Sequence, residues 1–322
     1  MNLSGNTFVI IGRAGMDFYP DPPGTKTEEA ARFVSCLGGS SANIGVAITK
    51  QGGKAALVTR VSDDAIGRFA VNELEKYEID HAHVRAVGGE ARTSLAVVET
   101  RIEDHQSVIY RNGAADFEMT MSDVDAVDYA AYSALITTGT VFAAEPSRSA
   151  TFHAFDLAKA AGLPLIFDID YRPYSWPSAE VAADVYSRAG AMCDVIIGND
   201  VEFGFMAGDY DKGLDKARSL VADGAQIVVY KMGEKGAVTI TPEREFRTGI
   251  YPANALKPTG AGDSFMGGFI AALAAGRDVE DAVLRGSASA AIVVSRVGCA
   301  PAMPTTEELE AFLASHAGPT AA

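Results

Sequence analysis

Thr259-Gly260-Ala261-Gly262-Asp263 sets two glycines and an aspartate before an apolar pattern in which Phe265, Phe269 and Leu273 recur at helical spacing. A Gly-rich turn opening a helix leaves backbone N–H groups without intrahelical acceptors, and the helix dipole adds positive potential there. Gly260, Ala261 and Gly262 can therefore hold an anion. Asp263, in the first helical turn, can take a proton from an attacking hydroxyl. The same residues also read as an ordinary helix start, because Asp favours that position and small residues permit close packing. Gly38-Gly39-Ser40-Ser41-Ala42-Asn43 is a second such turn, opening a helical pattern that runs to Lys50. A tight turn with close packing explains it equally well.

Short apolar runs at Leu135–Thr138, Leu165–Asp168, Val195–Ile197 and Ile227–Tyr230 read as buried strands. Between them lie helical patterns over Ser147–Ala161, Ala179–Ala191 and Gly213–Asp223. Such alternation predicts a parallel sheet covered on both faces, with ligands beyond the C-terminal strand ends. The polar residues there are Asp168, Asp170 and Arg172, then Asn199 and Glu202, then Lys231, Gly233 and Gly236. Each set also suits plain loop chemistry. Phe8–Gly12 reads as another strand, with Asp17 just beyond its end and loop or edge structure over Tyr19–Thr27. Arg32–Leu37, Ser94–Thr100 and Gln106–Arg111 read as strands set apart from the helices, which predicts a separate small sheet. Val279–Val297 reads as a helix capped by Asp278 and stopped at Gly298.

The 322 residues are 48% hydrophobic and 21% charged, which is ordinary globular composition. A net charge of −15 with no basic stripe argues against nucleic-acid binding. Cys36, Cys193 and Cys299 form neither a metal pattern nor an even disulfide set, which suits a reducing compartment. Without a leader-like N-terminus or an apolar run of about 18 residues, the expectation is a cytoplasmic protein that does not enter a membrane.

The order and spacing of these elements resemble the ribokinase-like carbohydrate kinases, also called the phosphofructokinase-B (PfkB) family, over essentially the whole chain. Gly38–Asn43 resembles that family's N-terminal signature, Thr259–Asp263 its C-terminal one, and Asn199-x-x-Glu202 its magnesium-associated motif. The resemblance implies a three-layer α/β/α fold with a mainly parallel central sheet and a small β-sheet lid. One domain spans 1–322, with lid segments at about 13–37 and 85–116. A narrower resemblance, to the 5-dehydro-2-deoxygluconokinase subfamily of myo-inositol breakdown, rests on Gly12–Asp17, Arg60–Asp64, Tyr110–Asp116, Asp168–Tyr174 and Arg296–Pro304.

The resemblance implies ATP-dependent phosphorylation of a sugar or acid-sugar hydroxyl, with 5-dehydro-2-deoxy-D-gluconate as the expected acceptor. The 2-keto-3-deoxygluconate kinases, fructokinases and other sugar kinases are alternatives, and a non-catalytic sugar-binding regulator is a remote one. Asp263 would be the general base, with Gly260, Ala261 and Gly262 as the anion hole. Glu202 would meet Mg²⁺ through water, and Asn199, Lys231, Gly233 and Gly236 would meet the nucleotide. Asp17, Gly39 and Asn43 would hold sugar hydroxyls. Arg111 and Arg172 would read a substrate carboxylate, although Arg172 could instead pair with Asp170, and Arg111 could be a solvated edge charge. Lid strands of this kind suggest a homodimer. Much of the family has Asp where this chain has Lys257, which puts a monovalent-cation site in doubt.

Overall fold

The computed structural model describes Leu3 and residues 5–321. The chain opens with β1 (Thr7–Ile11), crosses into β2 (Gly15–Asp21) and β3 (Arg32–Gly38), and returns through α1 (Ser40–Lys50) to β4 (Lys54–Ser62). Next come α2 (Ala65–Lys76), β5 (Val84–Val87), β6 (Leu95–Val98), β7 (Ser107–Tyr110) and the short α3 (Met121–Asp125). Strands and helices then alternate through β8 (Ala134–Thr138), α4 (Ser147–Ala160), β9 (Leu165–Asp168), α5 (Ala179–Met192) and β10 (Val195–Asn199). The alternation continues with α6 (Asp200–Ala207), α7 (Gly213–Ala222) and β11 (Ile227–Lys231). The chain ends with β12 (Ala237–Ile240), β13 (Glu245–Thr248), α8 (Ala261–Ala274), α9 (Val279–Val294) and α10 (Thr306–Ser315).

Nine strands form one sheet in the order β13-β12-β11-β10-β9-β8-β1-β4-β5, parallel except for the two pairings made by β12. Side chains alternate along each strand, so Phe8 and Ile10 of β1 face one core with α1, α2, α8 and α9. Val9 and Ile11 face the other, with α4, α5, α6 and α7. Fully burying one such side chain contributes about 1.5–3 kcal/mol, so the two cores dominate stability. This is the expected three-layer α/β/α arrangement. β1 is the switch point: the chain leaves it toward β4 on one side and reaches β8 on the other.

The small sheet has the order β3-β2-β6-β7. Its inner face carries Asp17, Tyr19, Ala96 and Val98, all buried. Phe33, Val34, Val108 and Tyr110 stay exposed, and β3 and β7 are its edges. The lid is narrower than the sequence suggested. Val84–Val87 pairs in parallel with Thr59–Ser62 and extends the main sheet, so the second lid segment starts beyond β5. β2 also continues to Asp21, into the stretch expected to be loop or edge. α9 ends at Val294 rather than Val297, because Leu256 and Lys257 turn in and donate backbone N–H groups to the Val294 carbonyl. Among the described residues no helix is long and apolar enough to cross a membrane.

α8 lies close against α1. A Cβ built on Gly267 would stand 2.2 Å from the Ala47 Cβ, a distance that neither helix backbone can absorb without moving. Gly267→Ala is expected to lower stability by about 1–3 kcal/mol through overpacking. A denaturant midpoint equal to that of the parent would contradict this packing.

Candidate active site

The strand register gathers the polar residues at one edge of the sheet. Thr138 lies opposite Asp168, and Asn199 opposite Lys231. α1 and α8 both start at this edge. Each begins at a glycine with positive φ, Gly39 at 95° and Gly260 at 86°. A Cβ at Gly39 would stand 2.4 Å from the Arg13 carbonyl oxygen, and one at Gly260 would stand 2.8 Å from Cys299 Sγ. Only glycine fits both the conformation and the space. The two helix N-termini therefore converge, and Asn43 in the first turn of α1 donates to Asp263 Oδ2 at 2.8 Å.

A polar cavity of about 390 Å³ opens here, between the sheet edge and the lid. Its walls include Asp17, Gly39, Asn43, Arg172, Asn199, Glu202, Lys231, Gly260, Gly262 and Asp263, so most of the expected site residues meet in one place. A second, more apolar cavity of about 700 Å³ adjoins it, lined by Gly233, Gly236, Tyr251, Ala291 and Val294. Asn199, Lys231, Pro258 and Gly262 line both. Ala261 lines the second, so the N-terminus of α8 stands on the boundary. Lys231 Nζ would be 3.6 Å from a Cβ at Gly262, which sets a cation beside the free N–H groups of that helix.

Arg111 is not among the residues lining the cavity. Its Nη2 pairs with Asp116, its Nη1 donates to the Thr140 carbonyl at 3.0 Å, and its guanidinium lies over the Phe117 ring. It is buried rather than a solvated edge charge, and it stands outside the cavity walls. The cause is Asp116, five residues on, which claims the guanidinium at the root of the lid. Arg172 does line the cavity, but its Nη2 holds Asp170 Oδ1 at 2.7 Å. Asp170 is buried with φ of +38°, an uncommon backbone for a non-glycine residue, and its second oxygen has no partner.

Glu202 is a helix cap and a buried site carboxylate at once. Asn199 Oδ1 accepts from the Glu202 N–H at 2.9 Å, and Glu202 Oε2 accepts from the Asn199 N–H at 2.7 Å. Its other oxygen accepts from the Tyr171 N–H at 3.2 Å. Among the described residues no group of three or more His, Cys, Asp or Glu side chains is arranged to hold a metal directly. With both oxygens engaged, Glu202 fits a hydrated cation better than a bare one, as Mg²⁺ chemistry favours.

Burial raises the Asp263 carboxyl to about 6, and the Asp170 charge adds to it; the Asn43 hydrogen bond, Arg172 and Arg13 pull the other way. Burial likewise raises Asp17 to about 6 against the pull of Arg13. Burial pushes Asp168 and Glu202 upward too, Lys231 opposing and neighbouring carboxylates reinforcing. A cation at this edge would relieve that repulsion. Burial also pushes Asp170 up, but Arg172, the Ser40 hydroxyl and Arg13 together bring it below the usual carboxylate range.

Sequence reasoning missed Arg13, which follows β1 and lines the cavity. Its position after a strand end, like the other polar sets, was the available signal. It also missed His105, which comes from the loop between β6 and β7 and meets the Thr259 hydroxyl at 3.3 Å, joining the lid to the α8 turn.

Comparison with known proteins gives a consistent picture. The model of the pfkB family carbohydrate kinases matches residues 6–306. The 5-dehydro-2-deoxygluconokinase of Geobacillus kaustophilus is 37% identical over 98% of this chain and 96% of its own length. That of Photobacterium profundum is 37% identical over 95% and 94%. A fructokinase double mutant of Vibrio cholerae, solved in fructose, ADP and potassium ion bound form, superposes with a TM-score of 0.83. It is 27% identical and covers 96% of this chain and 99% of its own.

A carboxyl raised by burial favours folding at low pH and opposes it once ionised. The opposition from Asp17 and Asp263 is complete above about 6 and fades as pH falls toward the unfolded value of 3.8. Asp263→Asn, which keeps an acceptor for Asn43, is therefore expected to raise the melting temperature at pH 8, with the gain shrinking as pH falls from 6 to 4. A gain that grows on acidification would reverse the sign assigned to this burial.

Proposed function

The chain belongs to the pfkB family of carbohydrate kinases, and we propose that it transfers the γ-phosphoryl group of ATP to 5-dehydro-2-deoxy-D-gluconate. It is a sugar kinase; the acceptor and the residue roles below are our reading. The observation carrying that reading is the position of Asp263, at a helix N-terminus on the boundary between a polar and an apolar cavity. The polar cavity suits a hydroxylated acid. The apolar one, with Gly233 and Gly236 at its rim, suits a nucleotide whose phosphates point toward Gly262.

Phosphoryl transfer needs an activated hydroxyl, an in-line approach and stabilised charge on the transferring group. Asp263, ionised above about 6, takes the proton of the acceptor hydroxyl. Asn43 fixes its carboxylate at 2.8 Å, and the free N–H groups of Gly260, Ala261 and Gly262 face the negative charge, with Lys231 beside them. Asp17 accepts from hydroxyls on the lid side, near the Gly39 backbone. Magnesium, when bound, neutralises phosphate charge; Glu202 and Asp168 would hold it through water, with Asn199 in support. The lid, joined to the α8 turn through His105 and Thr259, keeps out the water that would otherwise accept the phosphoryl group. The 2-keto-3-deoxygluconate kinase and fructokinase alternatives differ in the acceptor alone.

Asp263→Asn is expected to bind ATP normally and to lose turnover on the order of 10²–10⁴-fold. Coupled-assay kcat near that of the parent would remove Asp263 as the base.

Lys257 bears on the monovalent cation. It is fully buried, and its Nζ donates to the carbonyls of Thr259 at 2.6 Å and Val293 at 3.3 Å. Burial lowers its pKa, while Cys299, Asp263 and Asp17 oppose that shift. An ammonium held by backbone carbonyls next to the anion hole supplies the charge a bound K⁺ would supply. The expected rate is therefore the same in potassium and tetramethylammonium buffers. Strong activation by K⁺ would overturn this role for Lys257.

A further inference from the structure

The polar cavity holds five carboxylates, Asp17, Asp168, Asp170, Glu202 and Asp263, against three cations, Arg13, Arg172 and Lys231. An acid sugar brings one more negative charge, so its carboxylate needs a cation not already committed. Arg172 is occupied by Asp170. Lys231 stands beside Gly262, at the end where the phosphates meet α8. Arg111 is held by Asp116 outside the cavity. Arg13 remains.

Its surroundings leave one edge of the guanidinium without a hydrogen-bond partner. The Arg13 carbonyl accepts from the Ala42 N–H at 3.2 Å, which locks its backbone to the first turn of α1. Nη1 donates to Ser94 Oγ at 3.1 Å, at the root of the lid. Arg13 is only 7% exposed, yet its Nε has no hydrogen-bond partner. Among the described residues it forms no ion pair, not even with the nearby Asp17, whose carboxyl it influences only through space. Nε and Nη2 share one edge of a guanidinium, and that edge holds a carboxylate through two parallel bonds. A buried, unpaired donor of this kind is destabilising unless a ligand satisfies it.

We propose that Arg13 is the specificity-determining residue that binds the substrate's carboxylate through its Nε and Nη2 edge, while Ser94 fixes the side chain from Nη1. The acid then lies along the lid side of the cavity, with its carboxylate at Arg13 and a hydroxyl at Asp263. This rests on the acid-sugar reading above.

The experiment crosses the charge of the substrate with the charge at position 13. Wild type, Arg13→Met and Arg13→Lys are assayed with 5-dehydro-2-deoxygluconate, its C1 carboxamide and fructose at saturating Mg-ATP. Binding of the acid without nucleotide is followed by calorimetry, and ADP binding reports on folding. Wild type should prefer the acid to its carboxamide. Arg13→Met should shrink that preference in kcat/KM by about 10–100-fold, the range of a charge-assisted bond. It should also weaken calorimetric binding of the acid, and Arg13→Lys should recover part of both. An Arg13→Met variant that binds ADP but keeps the acid-to-carboxamide ratio overturns the assignment of Arg13 and leaves the acid-sugar reading standing. Wild type that phosphorylates fructose but neither binds nor phosphorylates the acid overturns both. If Arg13→Met fails to bind ADP, the lysine variant and the carboxamide decide: equal use of acid and carboxamide by wild type rejects the proposal.

Discussion

Five carboxylates share one largely buried cavity, and the architecture around them keeps that arrangement from unfolding the protein. Each would be pushed toward its neutral form by burial and by its neighbours. The compensation is specific. Arg172 holds Asp170 below the usual carboxylate range, backbone N–H groups hold both oxygens of Glu202, and Asn43 holds Asp263. Asp263 and Asp17 are left only partly compensated, at about 6, and Asp168 and Glu202 also stay above the usual carboxylate range. A base is useful when its pKa lies just below the working pH, so incomplete compensation at Asp263 would suit the role proposed for it.

The sheet makes such a cluster possible. Parallel strands in register deliver their C-terminal residues to one edge, and the switch at β1 opens the crevice there. Two helices then point their positive ends into it, and each depends on a glycine that no larger residue could replace. The lid completes the enclosure from the other side. Its inner face alternates polar Asp17 with apolar Ala96 and Val98, and Ser107 joins them at the cavity wall, so it adds few hydrogen-bonding groups to a mostly apolar cover.

Much of this was legible in the sequence because it is local. Strand ends, Gly-rich helix starts and the Asn199–Glu202 spacing are short-range patterns, and the structure builds them as β8 to β11, α1, α8 and the cap of α6. What sequence could not give was partner choice among side chains. Arg111 and Arg13 are both arginines beside lid segments, and nothing in their immediate sequence says which guanidinium is taken. Asp116 takes the first; among the described residues no carboxylate pairs with the second. The expected lid boundary at about 85 cuts into β5 for a related reason, since a four-residue strand carries no mark of the sheet it will join. Glu202 both caps α6 and lines the cavity. A carboxylate whose oxygens both accept backbone bonds can still act on a hydrated ion beyond it.

These commitments suggest how one scaffold can serve neutral and acidic sugars. The geometry proposed at Asp263 and the helix N-termini would act on any positioned hydroxyl, and it carries no information about the far end of the acceptor. Discrimination has to come from groups that meet that far end, and in an enclosed cavity a free cation is worth most where water cannot screen it. In the proposed binding mode a neutral sugar would leave the Nε and Nη2 edge of Arg13 unsatisfied, whereas a carboxylate would fill it. The unpaired guanidinium would then favour acids over neutral hexoses by penalising the wrong ligand as well as attracting the right one.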